Sequence, residues 1–121
     1  MAWDAADEYI TLPATTGLRQ FQLVTVNSAG KAATPALGAR IIGVLVSSGT
    51  NSSTEDVAAT IQIAGIAKVL AAGSTLSAGD TYSANASGYA KPTTGSAFVG
   101  GLVVDGSSGS TGRIISVSLT R

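Results

Sequence analysis

The chain has 121 residues, no cysteine and no histidine, and its seven basic side chains balance seven acidic ones. The missing thiols exclude a disulfide framework, and the missing imidazoles remove the usual general base and the commonest metal ligand. Zero net charge gives no reason to expect a phosphate-binding surface, so nucleic acid is not an expected partner.

Only 12% of the residues are charged and 5% aromatic, while Gly, Ala, Ser and Thr abound. A chain of this length is one domain's worth. Its core must then come from Val, Ile and Leu carried on sheets, with small residues letting strands approach. So little charge also does little to keep copies apart. The opening Met1-Ala2-Trp3-Asp4 has neither the basic nor the apolar region of a signal peptide. No apolar run approaches the length of a membrane span, so a membrane is not expected as a partner.

Residues 1–20 differ from the rest. They hold Trp3, Asp4, Asp7, Glu8, Tyr9 and Pro13. A short helix from Asp4 to Tyr9 with Asp4 as N-cap fits, and so does an extended arm. Such a segment either folds back on its own domain or docks on a neighbour, with the aromatic Trp3 and Tyr9 as anchors. On the docking reading, removing residues 1–12 leaves the remaining domain folded.

From Phe21 the pattern is β. Phe21–Val26 alternates, Asn27-Ser28-Ala29-Gly30 turns, and residues 31–36 return as a short strand that Pro35 confines to an edge. Ile41–Val46 is apolar without alternation, which fits a strand buried on both faces or a central strand. A Ser/Thr/Asn loop leads to residues 60–70, where Gln62, Ala64 and Lys68 fall between Ile61, Ile63 and Val69 in near-alternation, predicting one buried face and one wet face. Turns follow at residues 76–80, where the Asp80 side chain suits bonding to nearby backbone, and at Asn85-Ala86-Ser87-Gly88 between strands at 81–84 and 89–91. Residues 98–104 form a strand interrupted by Gly100-Gly101, and residues 114–119 close the domain after a Gly/Ser loop.

Two parts of the chain look alike. Asn27–Ala32 resembles Asn85–Ala90, with glycines 30 and 88 separated by 58 positions. Pro35 matches Pro92, and Ile41–Val46 matches Phe98–Val103 with Gly43 on Gly100, 57 positions apart. Either a hairpin–strand–loop–strand unit is duplicated, or a small-residue composition creates the match by chance. The predicted fold is all-β: a compact barrel or sandwich of about eight to ten short strands with this duplication, following the arm. The division is an arm or short helix over residues 1–20 and a barrel-like domain over 21–121.

Candidate chemistry is thin. Asp4, Asp7 and Glu8 lack the alternate spacing of a calcium loop, and Glu55-Asp56 reads as a loop tip. Ser28-Ala29-Gly30-Lys31 matches a Ser-x-x-Lys nucleophile motif but sits on a hairpin turn without the accompanying motifs. The Asn51 and Asn85 triplets match the glycosylation pattern and read as turns. Gly100-Gly101 inside a strand marks a bulge or the close approach of another backbone, made either with a second subunit or internally. Lys68 lies in the wet register and suits the rim of a contact. No catalytic, metal or cofactor residue is assigned, and no enzyme activity is expected.

The order of short motifs carries a resemblance. Gly43-Val44-Leu45, Gly65-Ile66-Ala67-Lys68-Val69, Ala78-Gly79-Asp80, Gly88-Tyr89-Ala90, Val99-Gly100-Gly101-Leu102 and Val117-Ser118-Leu119 follow one another. This resembles the small capsid cement, or head decoration, proteins of tailed bacteriophages, over roughly residues 21 to 120. The resemblance implies a β-rich homotrimer on the outer surface of the virion head, at three-fold and quasi-three-fold positions. There it would clamp subunits of the major capsid protein against internal DNA pressure, having been made in the host cytoplasm. With residues 1–20 read as a docking arm, Trp3, Tyr9, Ile10 and Leu12 are the candidate shell-binding residues, and Gly100, Gly101 and Lys68 are candidates for the subunit interface. The alternative is a receptor- or glycan-binding fibre or spike domain, for which Phe21, Tyr82, Tyr89 and Phe98 are the available aromatic platforms.

Overall fold

The computed structural model describes residues 7–47, 57–108 and 111–119. Among these are eleven strands and no helix: β1 (Glu8–Ala14), β2 (Leu23–Val26), β3 (Ala32–Ala33), β4 (Gly43–Leu45), β5 (Val57–Ala72), β6 (Thr75–Leu76), β7 (Thr81–Ala84), β8 (Ala90–Pro92), β9 (Gly101–Asp105), β10 (Ser107–Ser108) and β11 (Thr111–Leu119). The all-β expectation holds, and of barrel or sandwich the chain forms barrels.

The sixteen-residue β5 organises them. Through its first half it pairs with β1 and β4, and the order β1-β3-β2-β4-β5 closes when β5 returns to β1. Through its second half it pairs with β11 and β8, and the order β5-β11-β9-β7-β8 closes in the same way. Two five-stranded barrels therefore share one strand. The last strand of the first barrel runs on as the first strand of the second. Closure leaves neither barrel a bare sheet edge to template aggregation.

The strand is long because it serves two cores, and it must change course between them. Gly65 supplies the bend with φ of 94°. Beside it Glu8 pairs with Ala64 while Tyr9 pairs with Gln62, so Ile63 is the extra residue of a bulge. Ala59 and Ile61 enter the first core with Ala14, Leu18, Val24, Ala32 and Leu45. Ala67, Val69 and Ala71 enter the second with Leu76, Tyr82, Val103, Ile115 and Val117.

The duplication is present bond for bond. Asn27 Oδ1 accepts from the backbone N–H groups of Ala29 and Lys31, each at 3.0 Å, and Asn85 Oδ1 accepts from those of Ser87 and Tyr89, each at 2.9 Å. The Leu45 N–H donates to the Gln22 carbonyl at 3.0 Å and Val103 N–H to the Asp80 carbonyl at 2.8 Å. Ile42 N–H to Val24 and Gly100 N–H to Tyr82 form a third such pair, at 2.9 and 2.8 Å. All three keep the 58-residue spacing of Gly30 and Gly88. Gly43 consequently corresponds to Gly101, because both lie against a carbonyl, that of Gln62 and that of Ser118. The sequence match of Gly43 with Gly100, and of Pro35 with Pro92, is one residue out of register.

Other expectations need correction. Residues 8 and 9 are strand, so the helix reaching Tyr9 does not form over its described end, and the rest of that helix lies outside the described residues. β1 is a wall of the first barrel, with Ile10, Leu12 and Ala14 where Ala67, Val69 and Ala71 stand in the second. The short β3 is no edge, since it pairs with β1 on one side and β2 on the other. Gln62, assigned to the wet face, is buried, and its Nε2 donates to the Ala64 and Ile66 carbonyls at 3.1 and 2.9 Å, which satisfies backbone around the bend.

Candidate assembly surface

The two barrels meet through a face that the sequence gives to β2 and β4. Successive side chains on a strand point to opposite sides. Val24 and Leu45 enter the core of their own barrel, while Leu23 and Val44, one step along, enter the core of the other. This explains the missing alternation in residues 41–46: β4 is fully buried because both its faces serve cores. Burying a side chain of this size is worth about 1.5–3 kcal/mol, so Leu23 and Val44 alone hold the barrels together firmly. Backbone bonds reinforce the junction. Leu23 N–H donates to the Gly88 carbonyl at 2.7 Å, Leu70 N–H to the Phe21 carbonyl at 2.9 Å and Gly38 N–H to the Ala84 carbonyl at 2.8 Å. At its margin the Arg19 guanidinium donates to the Tyr89 hydroxyl at 2.6 Å and lies 6.0 Å from the ring centre.

The outer surface of the second barrel is different. Leu102 and Val104 of β9 and Ile114 of β11 are each 49% exposed. Half-buried Leu70 pairs with Ile114, and exposed Lys68 pairs with Ser116 on the same two strands. Several apolar side chains on neighbouring strands therefore face outward with few charges among them, the composition of a contact surface.

The residues marked in the sequence do not gather into one site. Trp3 lies outside the described residues. Tyr9 is 52% exposed on β1, whereas Ile10 and Leu12 pack against the first core and are only partly accessible. Lys68 is exposed, as its register predicts. Gly100 lies against the Tyr82 ring and Ile41, and Gly101 against the Ser118 carbonyl, so the close approach these glycines permit is made inside the chain. What sequence reasoning missed is the set Leu102, Val104 and Ile114. Residues 98–104 read there as one more strand with no outward face assigned, and the alternation of Leu102 and Val104 was the available signal.

Of the aromatic platforms, Tyr82 and Tyr89 are buried and Phe21 half-buried. Phe98 is 37% exposed, and the Arg40 guanidinium sits 5.4 Å from its ring centre. These two border a cleft of about 230 Å³ walled by Ile41, Ile63 and Leu119. Among the described residues no acid borders it. Tyr82 donates its hydroxyl to the Ser118 carbonyl at 2.8 Å, and burial holds the phenol protonated well above its usual range. Among the described residues no group of three His, Cys, Asp or Glu side chains could hold a metal ion. Asp80 acts as the sequence suggests, its Oδ2 accepting from Ser77 N–H at 2.8 Å within its turn.

No protein-family model and no curated protein sequence matches the chain. Among solved structures, the fold is similar to that of the N base of the head fiber gp8.5 of bacteriophage phi29. The TM-score is 0.66 with 16% sequence identity, over 95% of this chain and 95% of that one.

Proposed function

We propose that this chain is a structural protein of a phage virion, a homotrimeric cement protein on the outside of the head. It would bind at three-fold and quasi-three-fold positions and tie neighbouring major capsid subunits together. The observation that carries this reading is the likeness of fold, over nearly the whole of both chains, to a protein described as the base of a phage head fiber. The motif order read from the sequence supports it independently, and so does the apolar outer surface of β9 and β11. A cement protein works by many modest, repeated contacts, and symmetric repetition turns these into large total stabilisation. Internal DNA pressure separates capsid subunits, and a bridging trimer opposes this because its contacts are lost on separation. The role needs no cofactor and no reactive group.

The description of the neighbour as a fiber base favours a second reading, in which the barrels are the footing of a fiber that contacts the host. Purified protein added to undecorated heads separates the two. Saturable binding in multiples of three with raised heat resistance of the heads supports cement. Saturable binding with no gain in heat resistance supports a footing, and absence of binding to heads refutes both.

A further inference from the structure

The junction between the barrels is asymmetric: the first barrel offers its outer β2–β4 face, and the second offers its β7–β8 hairpin. Because the barrels are copies, each surface has a counterpart that the described residues leave open. Leu23 and Val44, wholly buried, correspond to Thr81 and Leu102, both exposed. Buried Ala84 and Gly88 correspond to Val26, 40% exposed, and to exposed Gly30. The glycines show the difference most directly. A Cβ on Gly88 would lie 2.7 Å from the Leu23 carbonyl oxygen and 2.6 Å from Gln22 Nε2, whereas one on Gly30 would meet nothing within 4 Å.

We propose that the chain binds a second copy of itself head-to-tail by repeating this junction. The β2–β3 hairpin of one copy, with Val26 and Gly30, seats on the outer face around Thr81, Leu102 and Val104 of the next. The proposal rests on the homotrimer reading above and assigns its surfaces. Charge supports the pairing. Gln22 and Tyr89 border one small recess at the internal junction. Their counterparts are Asp80 and Lys31, so the repeated junction brings opposite charges together where the internal one has a neutral pair. The apolar face also extends past Leu102 to Val104 and Ile114, which enlarges the area available for burial. An interface of this kind is heterologous: each copy uses two different surfaces, and the assembly is finite only if the rotation closes into a ring.

The test uses two variants with one dead surface each, Val26→Arg on the hairpin and Leu102→Arg on the face, with circular dichroism as the control for folding. Light-scattering mass of the wild-type chain should show an oligomer. Each variant alone should be monomeric, and an equimolar mixture should form a 1:1 dimer, because the live face of V26R accepts the live hairpin of L102R. If either substitution disturbs folding, Asp80→Lys and Lys31→Glu take its place, and the D80K/K31E double variant should recover the oligomer. A wild-type monomer at about 100 μM, on the scale of weak association, overturns the proposal. So do variants that keep the wild-type mass, or a mixture that stays monomeric. Binding to heads, measured separately, reports on the cement reading, so a monomer that still decorates heads defeats the junction and spares the function.

Discussion

Gly43→Ala is the sharpest probe of the two-barrel architecture. A Cβ at Gly43 would fall inside contact distance of the Gln62 carbonyl oxygen, 2.9 Å from its carbonyl carbon and 3.0 Å from Ile61 Cγ2. Carbon atoms in contact sit about 3.5–4.0 Å apart, so β4 must retreat from β5 by roughly 0.5–1 Å or more. It has nowhere to go, because β2 holds its other edge and its two faces fill two cores. Overpacking of a filled site costs about 1–3 kcal/mol, and weakening two ladder bonds about 1 kcal/mol each, for a total of roughly 3–5 kcal/mol. For a chain of this size that corresponds to a fall in Tm of about 10–25 °C. Gly17→Ala is the control: a Cβ there meets nothing within 4 Å, and only the positive φ of 82° is penalised, at about 1–2 kcal/mol. Thermal and urea unfolding of both variants would measure the difference. If G43A loses no more than G17A, the close approach of β4 and β5, and with it the closed first barrel, is wrong.

Further outcomes follow from other contacts in the two barrels. Tyr82→Phe should cost about 1–3 kcal/mol in urea unfolding, since it leaves the Ser118 carbonyl without its buried donor. Burial raises the folded pKa of Tyr82 above the unfolded value of 10.0, so its stabilising contribution is complete below pH 10 and is lost as pH rises beyond it. Y82F should therefore flatten the alkaline end of the stability–pH curve. Asn27→Ala and Asn85→Ala each remove two turn-closing acceptor contacts and should each lower stability by about 1 kcal/mol in denaturant melts. Removing residues 1–12 strips most of β1 from β5 and exposes Ala59 and Ile61, so circular dichroism and tryptophan-independent melting should show a broadened, weakened transition in place of an intact domain.

Much of this was legible. Turn chemistry announced the hairpins, because Asn followed three residues later by Gly is a local signal that depends on no tertiary contact. The same signal exposed the duplication, and the structure bears that reading out in matched hydrogen bonds. The errors have physical causes. The 57-residue spacing came from aligning Gly43 with the first of two adjacent glycines, whereas the carbonyl each strand approaches selects the second. β1 was hidden because Asp7, Glu8 and Pro13 flank a clean alternation, Tyr9-Ile10-Thr11-Leu12, whose partner lies some fifty residues away. Gln62 broke its pattern because the shared strand bends at Gly65 and the freed carbonyls need a donor. That need exists only once two barrels are joined.

The shared strand also explains why the assembly surface could not be seen in the sequence. Leu23 and Leu102 read alike there, as apolar residues on alternating strands. One is buried and the other exposed because Leu23 lies under the β7–β8 hairpin, whereas among the described residues no hairpin lies over the face around Leu102. Thr81, the counterpart of Leu23, is polar as suits a solvated position. Leu102, Val104 and Ile114 are large and apolar at about half exposure. Half-exposed apolar side chains on neighbouring strands have the composition of a contact surface, and the proposed repeat of the junction would cover them with the β2–β3 hairpin of another copy.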